Sequence, residues 1–115
     1  MALMYKSAGD KGKLGDERTG FTVITPCNLK NFMVFRTQLT EKGFSNVGAV
    51  FWFPPQEVGA GDNVVLYTKR GSSSVKKNED GTTTYFFYWG LDSAIFSDEK
   101  KAVVLAKINT WDVCQ

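Results

Sequence analysis

Any chemistry performed by this chain has to be built without histidine, because the sequence contains none. That removes the Ser-His-Asp and Cys-His constellations and the commonest metal ligand. Carboxylates, lysine, tyrosine and thiols remain. The carboxylates include three adjacent pairs, Asp16-Glu17, Glu79-Asp80 and Asp98-Glu99. Neighbouring residues on a strand point to opposite faces, so no pair offers two carboxyls to one substrate, as acid–base hydrolysis requires. They read as solvated turn residues, and the chain reads as a non-enzyme without a cofactor. The loop holding Asp10, Asp16 and Glu17 could offer oxygens to calcium, but the regular acidic spacing of an EF-hand is absent and no metal is expected. The run Gly9-Asp10-Lys11-Gly12-Lys13-Leu14-Gly15 lacks the Gly-Lys-Ser/Thr ending that leads a phosphate loop into a helix, so it reads as a turn.

Two constellations could bind a partner without transforming it. Lys69-Arg70 and Lys76-Lys77 bracket Gly71-Ser72-Ser73-Ser74. Cations flanking small hydroxyls can grip phosphates, the charges attracting and the hydroxyls and amides orienting the oxygens. Glu79 and Asp80 on the same connection oppose this, and a solvated loop is the competing reading. The second constellation is aromatic. Trp52, Trp89, Trp111, Tyr85 and Tyr88 could stack sugars or bases, but a small domain also needs large rings in its core. Alternation assigns Phe51, Phe53, Phe87 and Trp89 to the interior and leaves Trp52 and Tyr88 as the exposed candidates.

These residues need elements to hold them. With 115 residues there is room for one domain, residues 1–115, which would bury on the order of 65% of the surface of its unfolded chain. The formal net charge of +2 implies no strong pull toward nucleic acid or membrane. No apolar run is long enough for a signal peptide or a membrane span, so a soluble cytoplasmic chain is expected. Cys27 and Cys114 form no disulfide framework or zinc spacing; they read as two buried thiols, with a bridge between strands as the alternative.

The apolar pattern has period two almost throughout. Strands are predicted at Ala2–Tyr5, Phe21–Thr25, Phe32–Arg36, Val47–Phe53, Val64–Tyr67, Tyr85–Tyr88, Ala94–Phe96, Ala102–Ala106 and Trp111–Val113. Only Leu39–Phe44 and Ser97–Lys101 could hold a helical turn, so helix should fall far below the usual roughly 30–35%. Pro54-Pro55 and Gly59-Ala60-Gly61-Asp62 punctuate the chain, with positive φ expected at Gly59 and Gly61. Seven to nine short strands separated by turns predict an all-β, antiparallel β-sandwich.

The order of these segments resembles that of the lamin tail domain, an immunoglobulin-like β-sandwich, in its bacterial form. Met4-Tyr5 leads through Asp10 to Asp16-Glu17 and Phe21-Val23-Ile24, and Asn28-Leu29-Lys30-Asn31-Phe32 opens the next strand. Phe53-Pro54-Pro55 then passes through Gly61-Asp62 to Val64-Val65-Leu66-Tyr67. Tyr88-Trp89-Gly90 leads through Phe96 to Ala102-Val103-Val104-Leu105. The resemblance implies a non-catalytic binding or structural module that associates with protein or nucleic acid. A carbohydrate-binding module using Trp52 and Tyr88 is the alternative. A homodimer is expected through an edge strand, the terminal segment Trp111–Cys114 having little charge to guard it, or through exposed aromatics.

Overall fold

The computed structural model describes residues 1–41, 43–98 and 100–115. Half of the chain is strand and only 3% is helix, as the period-two pattern requires. Ten strands occur among the described residues: β1 (Leu3–Gly9), β2 (Arg18–Val23), β3 (Cys27–Asn28), β4 (Phe32–Thr40), β5 (Gly43–Trp52), β6 (Glu57–Val58), β7 (Asn63–Tyr67), β8 (Ser74–Lys77), β9 (Thr83–Tyr88) and β10 (Lys101–Lys107). They form a five-stranded sheet in the order β1-β2-β7-β9-β8, a three-stranded sheet β10-β4-β5 and a two-stranded ribbon β3-β6.

Both large sheets feed one core. Leu3, Phe21, Val23, Val64, Leu66 and Phe87 from the first sheet meet Phe32 and Val34 from the second, with Leu29, Phe53 and Val58 between. Edge-to-face rings bind the centre: Phe53 lies 6.1 Å from Phe21, 5.2 Å from Phe51 and 5.3 Å from Phe87. Aromatic pairs in this geometry are stabilised beyond their buried area because a positive ring edge meets a negative face. Phe53 and Phe87 are buried as alternation predicts, while Phe51 and Trp89 are half-buried at the core margin.

Several expectations are corrected. The sheets are not purely antiparallel: β7 and β9 run parallel, Val64 beside Tyr85 and Leu66 beside Phe87. After β7 the chain crosses the end of β9 before forming β8, then returns through a hairpin closed by Gly81 and by the Asn78 amide donating to the Thr82 carbonyl. Ser74–Lys77 is therefore an edge strand, not loop, its polarity reflecting full exposure of all four residues. Neither Ala94–Phe96 nor Trp111–Val113 is a strand. The amides of Ile95 and Phe96 are taken by a buried carboxylate in place of a neighbouring strand. Leu39 and Thr40 end β4 and Gly43 and Phe44 begin β5, so no helical turn forms there; Lys42 lies outside the described residues. Around Ser97–Lys101 the Lys101 amide donates to the Asp98 carbonyl in a turn, Glu99 being outside the described residues. The helical piece that does form is one 3-10 turn, Leu29–Asn31, capped by the Asn28 side chain accepting from the Lys30 amide. Gly61 has φ +86°, but Gly59 is not left-handed; its amide donates to Asp62 Oδ2 at 2.8 Å.

Candidate binding surfaces

The carboxylate read as solvated turn chemistry is the most buried charge among the described residues. Glu17 is 0% exposed. Its Oε1 accepts from the Thr68 hydroxyl at 2.7 Å and the Ile95 amide at 2.9 Å, and its Oε2 from the Gly12 amide at 2.8 Å and the Phe96 amide at 3.2 Å. Burial is the largest single influence on its pKa and pushes it up, but the four donors together hold it below the ordinary carboxylate value. Glu17 thereby joins the Asp10–Asp16 loop, the start of the β7–β8 crossing and the segment before β10. All four acceptor directions are used within the chain, so this is a structural knot. Its sequence signal is parity: extending the inward set Val23, Phe21 and Thr19 back by two reaches Glu17.

The four predicted cations do not form one phosphate-gripping track. Lys69 and Arg70 lie in the crossing beyond β7, whereas Lys76 and Lys77 stand on β8. Arg70 is paired with Asp92 at 2.9 Å, and Lys69 sits over the Tyr67 ring at 5.1 Å. Lys76 opposes Thr84 and Lys77 opposes Thr83, so alternation sends the two lysines to opposite faces of the sheet.

The two aromatic candidates also part. Tyr88 is half-buried, not exposed. Its ring stacks on Tyr67 at 5.4 Å and 12°, and the crossing covers it from outside: a Cβ built on Gly71 would lie 2.5 Å from its Cε1 and 2.7 Å from its Cγ. A close approach of this kind admits only glycine. Trp52 is 41% exposed, its indole N–H donating to the Lys30 carbonyl at 2.6 Å and its ring meeting Trp111 edge-on at 5.1 Å. Trp52 and Tyr88 belong to different sheets, each on the side opposite its core neighbours Phe53 and Phe87. They cannot stack on one sugar.

A surface that the sequence reading passed over lies on the three-stranded sheet. Val34 and Phe32 turn into the core, so Met33 and Phe35 turn away from it. Register places Met33 between Trp52 and Ala106, and Phe35 between Val50 and Val104. Two full rows across three strands are thus apolar on the face turned from the core, where a half-solvated sheet ordinarily carries polar residues; Met33, Phe35, Val104 and Ala106 are half-buried in them, and of the six only Val50 and Trp52, on β5, are exposed. Val50 is 52% and Trp52 41% exposed at its edge, with Trp111, also 41% exposed, beside them. The signal was present as the even positions of 50–52 and the odd positions of 33–35, but without the pairing of β4 with β5 and β10 they do not read as one patch.

Other groups stay local. Cys27 is half-buried, its thiol pKa pushed up first by burial and then by Glu57. Cys114 is exposed, and both thiols are free, which corrects the expectation of two buried ones. No ligand-sized cleft and no metal-holding group of His, Cys, Asp or Glu occurs among the described residues. No helix among them is long and apolar enough to cross a membrane. Comparison with protein families, with curated proteins and with solved structures finds no match in any of the three.

Proposed function

We propose that the chain is a non-catalytic protein-interaction module, built on an immunoglobulin-like β-sandwich of the lamin tail type, with the outer face of β10-β4-β5 as its contact surface. The supporting observation is the uncharged double row, Ala106-Met33-Trp52 and Val104-Phe35-Val50, on a face turned away from the core. Contiguous apolar surface of this kind marks a site of protein association. Aromatic and methionine side chains within it match the composition of interface centres. For the sandwich, the support is that side chains of both large sheets pack into one core; the parallel β7–β9 pair departs from a fully antiparallel plan.

Nucleic acid is disfavoured as the partner because Lys76 and Lys77 point to opposite faces of their sheet and each of Arg70 and Arg18 has a carboxylate beside it, Asp92 and Asp10, that opposes a phosphate. A glycan is disfavoured because Trp52 and Tyr88 face away from one another. A pull-down with the immobilised chain, its Val50→Lys variant and its Val75→Lys variant tests the reading. Protein retained by the parent and by V75K, but lost with V50K, is expected. Equal retention by all three, or salt-sensitive retention of nucleic acid alone, would overturn it.

A further inference from the structure

Four strands end the two large sheets: β1 and β8 in one, β10 and β5 in the other. An open edge presents unpaired N–H and C=O groups and is ordinarily guarded by charge. Lys6 lies on β1, Lys76 and Lys77 on β8, and Lys101 and Lys107 on β10. On those edges a second copy of the same strand would bring like charges together. β5, Gly43–Trp52, has no charged residue at all.

The open part of β5 can be placed residue by residue. Irregularities in the pairing with β4 leave a regular stretch at Val50–Trp52, beyond the left-handed Ala49 with φ +48°. The Phe53 amide donates to the Phe32 carbonyl at 3.2 Å. Backbone groups alternate in direction along an antiparallel strand. Phe53 and Phe51 therefore address β4, and the N–H and C=O groups of Trp52 and Val50 point to the open side.

We infer that two copies of this chain pair antiparallel through Val50–Trp52 of β5, about a two-fold axis at Phe51, joining their three-stranded sheets into one of six strands. The partner is a second copy because the stretch is self-complementary. With Phe51 opposite its own equivalent, each Val50 faces the partner's Trp52 in a position where both exchange backbone hydrogen bonds. Aromatic against β-branched is a favourable cross-strand pair, and no charge is buried. The outer apolar rows of the two copies become continuous across the axis. The inference rests on the proposed contact surface and specifies one occupant for its edge.

Sedimentation velocity from low to high micromolar concentration tests it, using the parent, Val50→Lys, and Val75→Lys as a control on the β8 edge. Val50 and Val75 are 52% and 60% exposed, so neither change disturbs the core, and a thermal melt verifies this. The parent and V75K should dimerise, and V50K should weaken dimerisation by at least about tenfold. An equimolar mixture of V50K and Trp52→Glu should associate more tightly than either alone. In the mixed dimer the register sets the introduced lysine against the introduced glutamate once, and the remaining Val50 against the remaining Trp52 once. A parent that stays monomeric throughout refutes self-pairing while leaving the protein-binding reading to its pull-down. A dimer equally strong in V50K, or a mixture no tighter than its components, refutes the β5 register.

Discussion

Replacing Glu17 by Gln should cost more than any other isosteric change in the molecule. The glutamine carbonyl can still accept from Thr68 and Ile95, but its amide nitrogen, itself a donor, is set against the N–H of Gly12 or Phe96. The buried Phe96 amide loses its acceptor at about 1–3 kcal/mol, the part-buried Gly12 amide loses less because water can replace the carboxylate there, and the two retained bonds fall from charged to neutral strength. Relief from desolvating a carboxylate offsets part of this. The net expectation is a loss of about 3–5 kcal/mol, a large share of the roughly 5–15 kcal/mol that a domain commands. Urea unfolding at neutral pH, with the slope unchanged, measures it. The pH dependence gives a second readout. The folded-state pKa of Glu17 is lowered, so its contribution is complete above the unfolded carboxylate value and is lost as pH falls through the folded value. E17Q should lack that part of the acid limb. A loss below about 1 kcal/mol, or an unchanged acid limb, would refute the buried knot.

Further outcomes follow from individual positions. Gly71→Ala sets a methyl into the Tyr88 ring and should cost about 1–3 kcal/mol with altered near-ultraviolet circular dichroism; added to a Tyr88→Ala variant, Gly71→Ala should cost much less than in the parent, and strictly additive losses contradict the contact. Ala49→Gly relieves the left-handed φ of +48° and should raise stability by up to about 1 kcal/mol; destabilisation in urea unfolding would show that the bulge is unstrained. Trp89→Ala should cost about 3 kcal/mol, since its ring meets Phe51 at 6.0 Å and Phe96 at 6.4 Å; unchanged stability would place the ring on the surface. Alanine at Lys69, Arg70, Lys76 and Lys77 together should leave single-stranded DNA binding at low salt no weaker than in the parent, and a steep loss would restore the phosphate track.

Seven of the nine predicted strands appear in the structure because period-two alternation is written by the core itself: Phe21 and Val23, Val64 and Leu66, Phe32 and Val34. What the sequence concealed lies where tertiary partners replace that alternation. Ile95 and Phe96 look like a strand but give their amides to Glu17. Trp111 looks like a strand centre, yet its ring leans on Trp52, and the nearby Ile108 amide donates to the Asn31 carbonyl. β8 hid for the opposite reason, since an edge strand with every side chain in solvent has no inward residue to mark its period. The parallel β7–β9 pair depends on a chain crossing that only Gly71, passing over Tyr88, reveals. Among site residues, the exposure of Trp52 was legible from alternation. Its company, Val50, Met33 and Trp111, was not, because cross-strand register is a property of pairing.

The claim on which the rest depends is that the edge and outer face of β10-β4-β5 form the working surface of this protein. Residue-resolved amide hydrogen exchange, with and without the protein retained in the pull-down or at rising concentration of the chain alone, tests it most directly. The account predicts added protection at Val50 and Trp52, with Val75 and Lys76 on the β8 edge unchanged. Protection confined to β8 or to Lys69 and Arg70, with Val50 and Trp52 exchanging as before, would contradict it.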